Sequence, residues 1–132
     1  MKQYMLDTNT VSHFLKQHPA VTRQVIAKPM TCLCISAITE GELLFGLAKR
    51  PEARNLHQVV NEFLRRMDVL PWDSTTAGDY GSMRAELTRK GTPLGSLDML
   101  IAAHAISVDA VLVTSDQAFQ QVADLAVENW TK

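Results

Sequence analysis

Ser96-Leu97-Asp98-Met99-Leu100-Ile101-Ala102-Ala103-His104-Ala105-Ile106-Ser107-Val108-Asp109-Ala110-Val111-Leu112-Val113-Thr114-Ser115-Asp116 passes from helix to strand to polar turn. Ser96 can cap a helix over Leu97 to Ser107, and Asp98 falls in its first turn. Ala110 to Thr114 is the clearest strand in the chain, and the polar pair Ser115-Asp116 ends it. A helix feeding directly into a buried-type strand is half of a βαβ unit, so the rest of the chain is read for the same alternation.

It is there on both sides. Tyr4-Met5-Leu6 reads as a short strand, followed by the polar run Asp7-Thr8-Asn9-Thr10 and a helix from Thr10 to Gln17 that stops before Pro19. Ala20 to Ala27 reads as a second short helix and Met30 to Ser36 as the next strand. Thr39 then caps a helix that runs to Lys49. From Glu52 to Arg66 the apolar residues Leu56, Val59, Val60, Phe63 and Leu64 recur at helical spacing. Val69-Leu70 forms a strand, Thr75 to Lys90 a helix, and the breaker-rich Gly91-Thr92-Pro93-Leu94-Gly95 leads back into the segment quoted above. Val127 to Trp130 supplies a last edge strand. Strands separated by helices imply an α/β fold with a mostly parallel sheet covered on both faces.

The length of 132 residues suits one domain over 1–132, and 46% hydrophobic with 20% charged residues excludes a disordered chain or a disulfide scaffold. No apolar run approaches the roughly 20 residues of a membrane helix, and the start lacks a signal peptide's apolar core, so a cytoplasmic protein is expected. Cys32 and Cys34 alternate within the predicted second strand without zinc-site spacing, and are read as reduced, buried thiols on one face. The net charge of −1 hides an asymmetry: residues 1–66 carry +4 and residues 67–132 carry −5.

Ligands of open parallel sheets bind beyond the carboxyl ends of the strands. Asp7 directly follows the first strand, Glu42 opens the helix after the second, Asp98 starts the helix before the best strand, and Asp116 follows that strand. Each alone is explained by helix capping or turn chemistry. Four carboxylates on one rim repel, and such a cluster calls for protonation or a cation. The all-oxygen donor set points to Mg²⁺ or Mn²⁺ rather than zinc.

The motifs around these acids resemble those of the PIN-domain ribonucleases, and among them the VapC toxins of bacterial type II toxin–antitoxin systems. Met5-Leu6-Asp7-Thr8-Asn9 resembles the family's opening motif, and Ile35-Ser36 through Glu42-Leu43 and Gly46 its Glu-Leu-x-x-Gly helix start. Arg84-Ala85-Glu86-Leu87 with Lys90-Gly91-Thr92-Pro93 resembles the segment before the third acid. Asp98-x-x-Ile101-Ala102-x-His104-Ala105 matches the helix bearing that acid, and Val113-Thr114-x-Asp116 with Phe119 the last motif. The order holds over essentially the whole chain. Ser96 stands where many relatives carry Pro, and the Asp116 to Phe119 spacing is one residue shorter than the family pattern. Glu40 and Glu42 point about 200° apart on a helix, so only one faces the site, and the motif selects Glu42.

The resemblance implies a three-layer PIN-like domain that hydrolyses structured RNA, tRNA or ribosomal RNA loops, with a divalent metal activating water. Asp7 and Asp98 would then be direct ligands, Glu42 a ligand or the group that orients water, and Asp116 the residue completing the cage. Thr8, Asn9, Thr114 and Ser115 would support them. Lys49, Arg50, Arg54, Arg65, Arg66, Arg84, Arg89 and Lys90 are available for phosphates. A homodimer and a cognate VapB-like antitoxin, with an Arg entering the acidic groove, are implied as partners.

Three other readings compete. A haloacid-dehalogenase-like phosphatase would use Asp7-Thr8-Asn9-Thr10 as its nucleophile loop, but Asn9 stands where an acid and base is needed. A phosphoacceptor receiver domain needs an acidic pair at the first strand and a Lys after a late one, and neither is visible. A metal-free ribonuclease would draw its base from His13, His18, His57 or His104, with His104 read as a packing residue.

Overall fold

The structure is a computed structural model and describes residues 2–132. Within them the chain runs β1 (Gln3–Leu6), α1 (Thr8–Leu15), α2 (Pro19–Ile26), β2 (Leu33–Ser36), α3 (Ala37–Ala48), α4 (Arg54–Arg66), β3 (Asp68–Leu70), α5 (Ser74–Lys90), α6 (Ser96–Ser107), β4 (Ala110–Val113) and β5 (Val127–Glu128). The strands form a five-stranded sheet in the order β3-β2-β1-β4-β5, and every pairing is parallel. The α/β class with a parallel sheet is as the sequence implied.

Strand alternation sorts the side chains into two cores. Leu6, Leu33, Ile35 and Val113 point into one, packed under α1 to α4 with Val11, Val21, Leu43, Leu47, Val60 and Phe63. Met5, Cys34 and Leu112 point into the other, covered by α5 and α6 through Met83, Leu87, Ile101 and Ala102, and by Phe119 from the 3-10 turn after β4. Both faces of the sheet are therefore buried, which is why its strands read as short apolar runs rather than alternating ones. In α6, Ala102, Ala103 and Ala105 are buried together with Ile101 and His104.

Several element starts differ from the sequence reading, and the reason is capping. α1 begins at Thr8 rather than Thr10 because Asp7, in extended conformation, accepts the Thr10 N–H at 2.8 Å. α3 begins at Ala37 because Ser36, not Thr39, is its N-cap; its hydroxyl accepts the Ile38 N–H. Asp73 caps α5, which starts at Ser74, one residue ahead of the predicted Thr75. The cap of α6 is Gly95, which has no side chain to offer, and Ser96 is already helical. β2 is shorter than predicted, since Met30–Cys32 forms a 3-10 turn; Cys32 is thus outside the alternation that was read through it. Both cysteines are buried. Among the described residues no helix is long and apolar enough to cross a membrane.

Candidate active site

Strand order reverses direction at β1: the chain first builds outward through β2 and β3, then returns to place β4 and β5 on the other side. That makes the carboxyl ends of β1 and β4 the switch point, where the diverging connections open a crevice. The two ends are tied together. The Asp7 N–H donates to the Val113 carbonyl at 3.1 Å, and the buried Thr10 hydroxyl donates to the same oxygen at 2.9 Å. Asp7 is 4% exposed at this junction, and one of its carboxylate oxygens, Oδ1, is taken by the Thr10 N–H.

Glu42 reaches the same place from the second turn of α3. The Thr8 hydroxyl donates to its Oε1 at 2.5 Å, and the hydroxyl of fully buried Thr39 lies 3.3 Å from that of Thr8. Asp98 is the third residue of α6, where the helix dipole favours a negative charge. Gly95 makes room for it: a Cβ there would come within 3.1 Å of Asp98 Oδ2. Asp116 follows β4 on the exposed rim, and its Oδ1 accepts the Ala118 N–H at 2.9 Å. The Thr114 hydroxyl in turn accepts the Asp116 N–H at 3.0 Å.

Electrostatics shows that the four acids share one field. Burial is the largest cause of a raised Asp98 pKa, followed by the negative charges of Asp116, Asp7 and Glu42. Glu40 is absent from that set, so the structure brings Glu42 rather than Glu40 to the rim. Of the expected supporting residues, Thr8 and Thr114 hold Glu42 and Asp116, Ser115 is half-buried beside them, and Asn9 is exposed on α1. Thr10 and Thr39 were missed by sequence reading, because their roles depend on partners far away in the chain.

Among the described residues, no three His, Cys, Asp or Glu side chains lie at metal-ligand spacing. The donor set still fits a hard divalent cation. It is all carboxylate, and Asp7, Glu42 and Asp116 each use one oxygen for a protein donor, leaving the second outside those bonds. The histidines offer no such site. His104 is 0% exposed, His13 and His18 pack on each other at the α1–α2 junction, and His57 bonds the Arg50 carbonyl.

Most of the cations sit on solvated helix faces. Arg65 and Arg66 pair with Glu62, Arg89 and Lys90 with Glu86, and Arg84 donates to the Tyr80 hydroxyl. Exposed pairs of this kind contribute little stability and leave the cations open to exchange partners.

Residues 4–125 match the family model of the PIN domain. The chain belongs to the PIN-domain family. It is 41% identical to the tRNA(fMet)-specific endonuclease VapC of Salmonella typhimurium, over 98% of this chain and 99% of that protein. It is 34% identical to Ribonuclease VapC2 of Haemophilus influenzae, over 98% and 99% of the two chains. The fold superposes on DNA-bound VapBC from Salmonella typhimurium with a TM-score of 0.91 at 38% identity, covering 98% of this chain and 99% of that one. FitAcB from Neisseria gonorrhoeae superposes with a TM-score of 0.87 at 28% identity, covering 96% and 97%. This PIN-domain chain is accordingly a toxin ribonuclease of the kind that an antitoxin neutralises, in a nuclease family that generally uses divalent metals. The phosphatase and receiver readings fall away.

Proposed function

We propose that this chain is a single PIN-like domain over residues 1–132, acting in the cytoplasm as an endoribonuclease on structured RNA, with tRNA the favoured substrate. Mg²⁺ or Mn²⁺ would be held by Asp7 and Asp98, with Asp116 completing the cage and Glu42 either binding the cation or orienting the attacking water. The observation that carries this reading is the convergence of acids at the switch point of the sheet: Asp7 tied to the Val113 carbonyl, Glu42 held by Thr8, and Asp98 in the first turn of α6, where burial and then the charges of Asp116, Asp7 and Glu42 raise its pKa. Its similarity to a tRNA(fMet)-specific endonuclease supports tRNA as the substrate class.

When bound, the divalent cation supplies the positive charge that lowers the pKa of water and offsets the charge growing on phosphorus. The protein's own groups orient the reactants. Thr8 fixes Glu42 through Oε1, so Oε2 is free to accept a proton from the attacking water. Water adds to phosphorus, one P–O bond to ribose breaks, and the departing oxygen takes a proton. Thr114 holds the Asp116 backbone, and Asn9 and Ser115 lie where they can support the rim. Arg50 and Arg54, at the turn between α3 and α4, are available for the RNA backbone.

Partner surfaces are consistent with a homodimer and a VapB-like antitoxin. Ile26, Met30 and Val59 leave apolar surface open around the groove between α1, α2 and α4, and Leu44 and Phe45 do so on α3. An antitoxin Arg entering the carboxylate rim would neutralise it by charge-assisted hydrogen bonds.

Digestion of a purified tRNA pool with Mg²⁺ or with EDTA, followed by mapping of the fragment ends, tests this function. Discrete fragments that need Mg²⁺ and carry no 2′,3′-cyclic phosphate are expected. Cyclic-phosphate ends formed in EDTA would show attack by the 2′-hydroxyl and overturn the carboxylate mechanism.

A further inference from the structure

His104 and Ser36 are both 0% exposed, and the ring Nδ1 lies 2.7 Å from the Ser36 hydroxyl across 68 residues of sequence. Ser36 closes β2 and caps α3, where its Oγ already accepts the Ile38 N–H at 3.0 Å. A hydroxyl carries a single hydrogen, so the one on Ser36 is free to donate to His104 Nδ1. The ring proton then sits on Nε2. That nitrogen is buried and has no hydrogen-bond partner among the described residues. The opposite tautomer would make the Ser36 Oγ accept twice and leave its own hydrogen without an acceptor in the dry interior.

A buried polar pair is a costly way to fill space that an apolar side chain could fill, and its return is a unique arrangement. Here it joins α6, which carries Asp98 in its first turn, to the start of α3, which carries Glu42. Six residues separate His104 from Asp98, about 9 Å along the helix, so the imidazole lies well down the helix from that carboxylate.

We propose that the Ser36–His104 hydrogen bond is a buried tie that holds α6 against the start of α3 and so sets Asp98 relative to Glu42. Ser36 and His104 are positioning residues. The inference rests on the reading of these two acids as parts of one metal site.

The test uses the full chain. Long-range ¹H–¹⁵N spectra of ¹⁵N-histidine-labelled protein at pH 7 are expected to show His104 neutral and protonated on Nε2. His104→Phe keeps a ring without the bond, and His104→Asn restores an acceptor near the Nδ1 position. In His104→Phe the Glu42 and Asp98 amide resonances shift, and Mn²⁺ affinity, measured without RNA, falls about tenfold. His104→Asn recovers most of that loss, and Ser36→Ala combined with His104→Phe binds Mn²⁺ no more weakly than His104→Phe alone. A His104→Phe protein that melts lower but binds Mn²⁺ as the wild type does would overturn the tie, leaving only packing. Should the wild type bind no Mn²⁺, the metal-site reading fails by itself, and unmoved Glu42 and Asp98 resonances in His104→Phe would still overturn the tie.

Discussion

Asp7 has two jobs in this structure, and a pair of substitutions separates them. Its Oδ1 caps α1 through the Thr10 N–H, while its charge is one of those raising Asp98. Asn caps as well as Asp does, so Asp7→Asn keeps the cap, removes the charge and relieves repulsion on the rim. Asp7→Ala removes both. It also strands the N–H of Thr10, a residue 2% exposed. Losing the cap and leaving that donor buried costs about 1–3 kcal/mol. For a chain of this size that is a fall of roughly 4–12 °C in melting temperature. Asp7→Asn is expected to melt at or above the wild-type temperature, and Asp7→Ala to melt lower by that amount. Both should cleave tRNA at least about tenfold more slowly, taking the loss from outer partners of a metal site as the floor. Thermal unfolding by circular dichroism and single-turnover cleavage read the two effects separately. The reasoning is refuted if Asp7→Asn cleaves at the wild-type rate, or if it melts as low as Asp7→Ala.

Other consequences can be checked on the same protein. Asp98→Asn should raise the melting temperature at pH 7 without added metal, since it removes a half-buried charge that three carboxylates oppose; an unchanged or lower value would show that the four acids do not share a field. Burial holds the His104 pKa below its usual 6.5, so the folded state resists protonation there. Stability from this group is fully present above pH 6.5 and is lost as pH falls from there towards the depressed folded value, and His104→Phe should flatten that part of a melting-temperature profile. The Cys34 thiol is pushed up to about 12 by burial and then by Asp68, so in a Cys32→Ala background it should resist disulfide reagents at pH 8 until the protein unfolds. Phe119 is 1% exposed beneath the turn that carries Asp116, and Phe119→Ala should cost about 3–5 kcal/mol in urea unfolding.

The layered fold was legible because each strand is a short apolar run flanked by helical spacing, as Ala110–Val113 after Ser96–Ser107 shows. Helix starts were less legible. Asp7 and Ser36 read as the end of a strand or turn, while locally each acts as a cap, and choosing between Ser36 and Thr39 needs the positions of their partners. Asp7, Glu42 and Asp116 could be found by their place after strands and Asp98 by its place in a helix's first turn, but the preference for Glu42 over Glu40 rests on motif resemblance. In the structure it comes from Thr8, 34 residues away. Nothing local marks Thr39 or the Ser36–His104 pair, because the contacts that define them join residues 31 and 68 positions apart.

Direct titration of Mn²⁺ into the RNA-free protein, wild type beside Asp98→Asn, tests the central claim with least intervening chemistry. A saturable site in the wild type, weakened at least tenfold by the single change of an oxygen to an amide, is the predicted result. Equal binding by the two proteins would contradict the account, because the carboxylate at the centre of the shared field would then hold no cation.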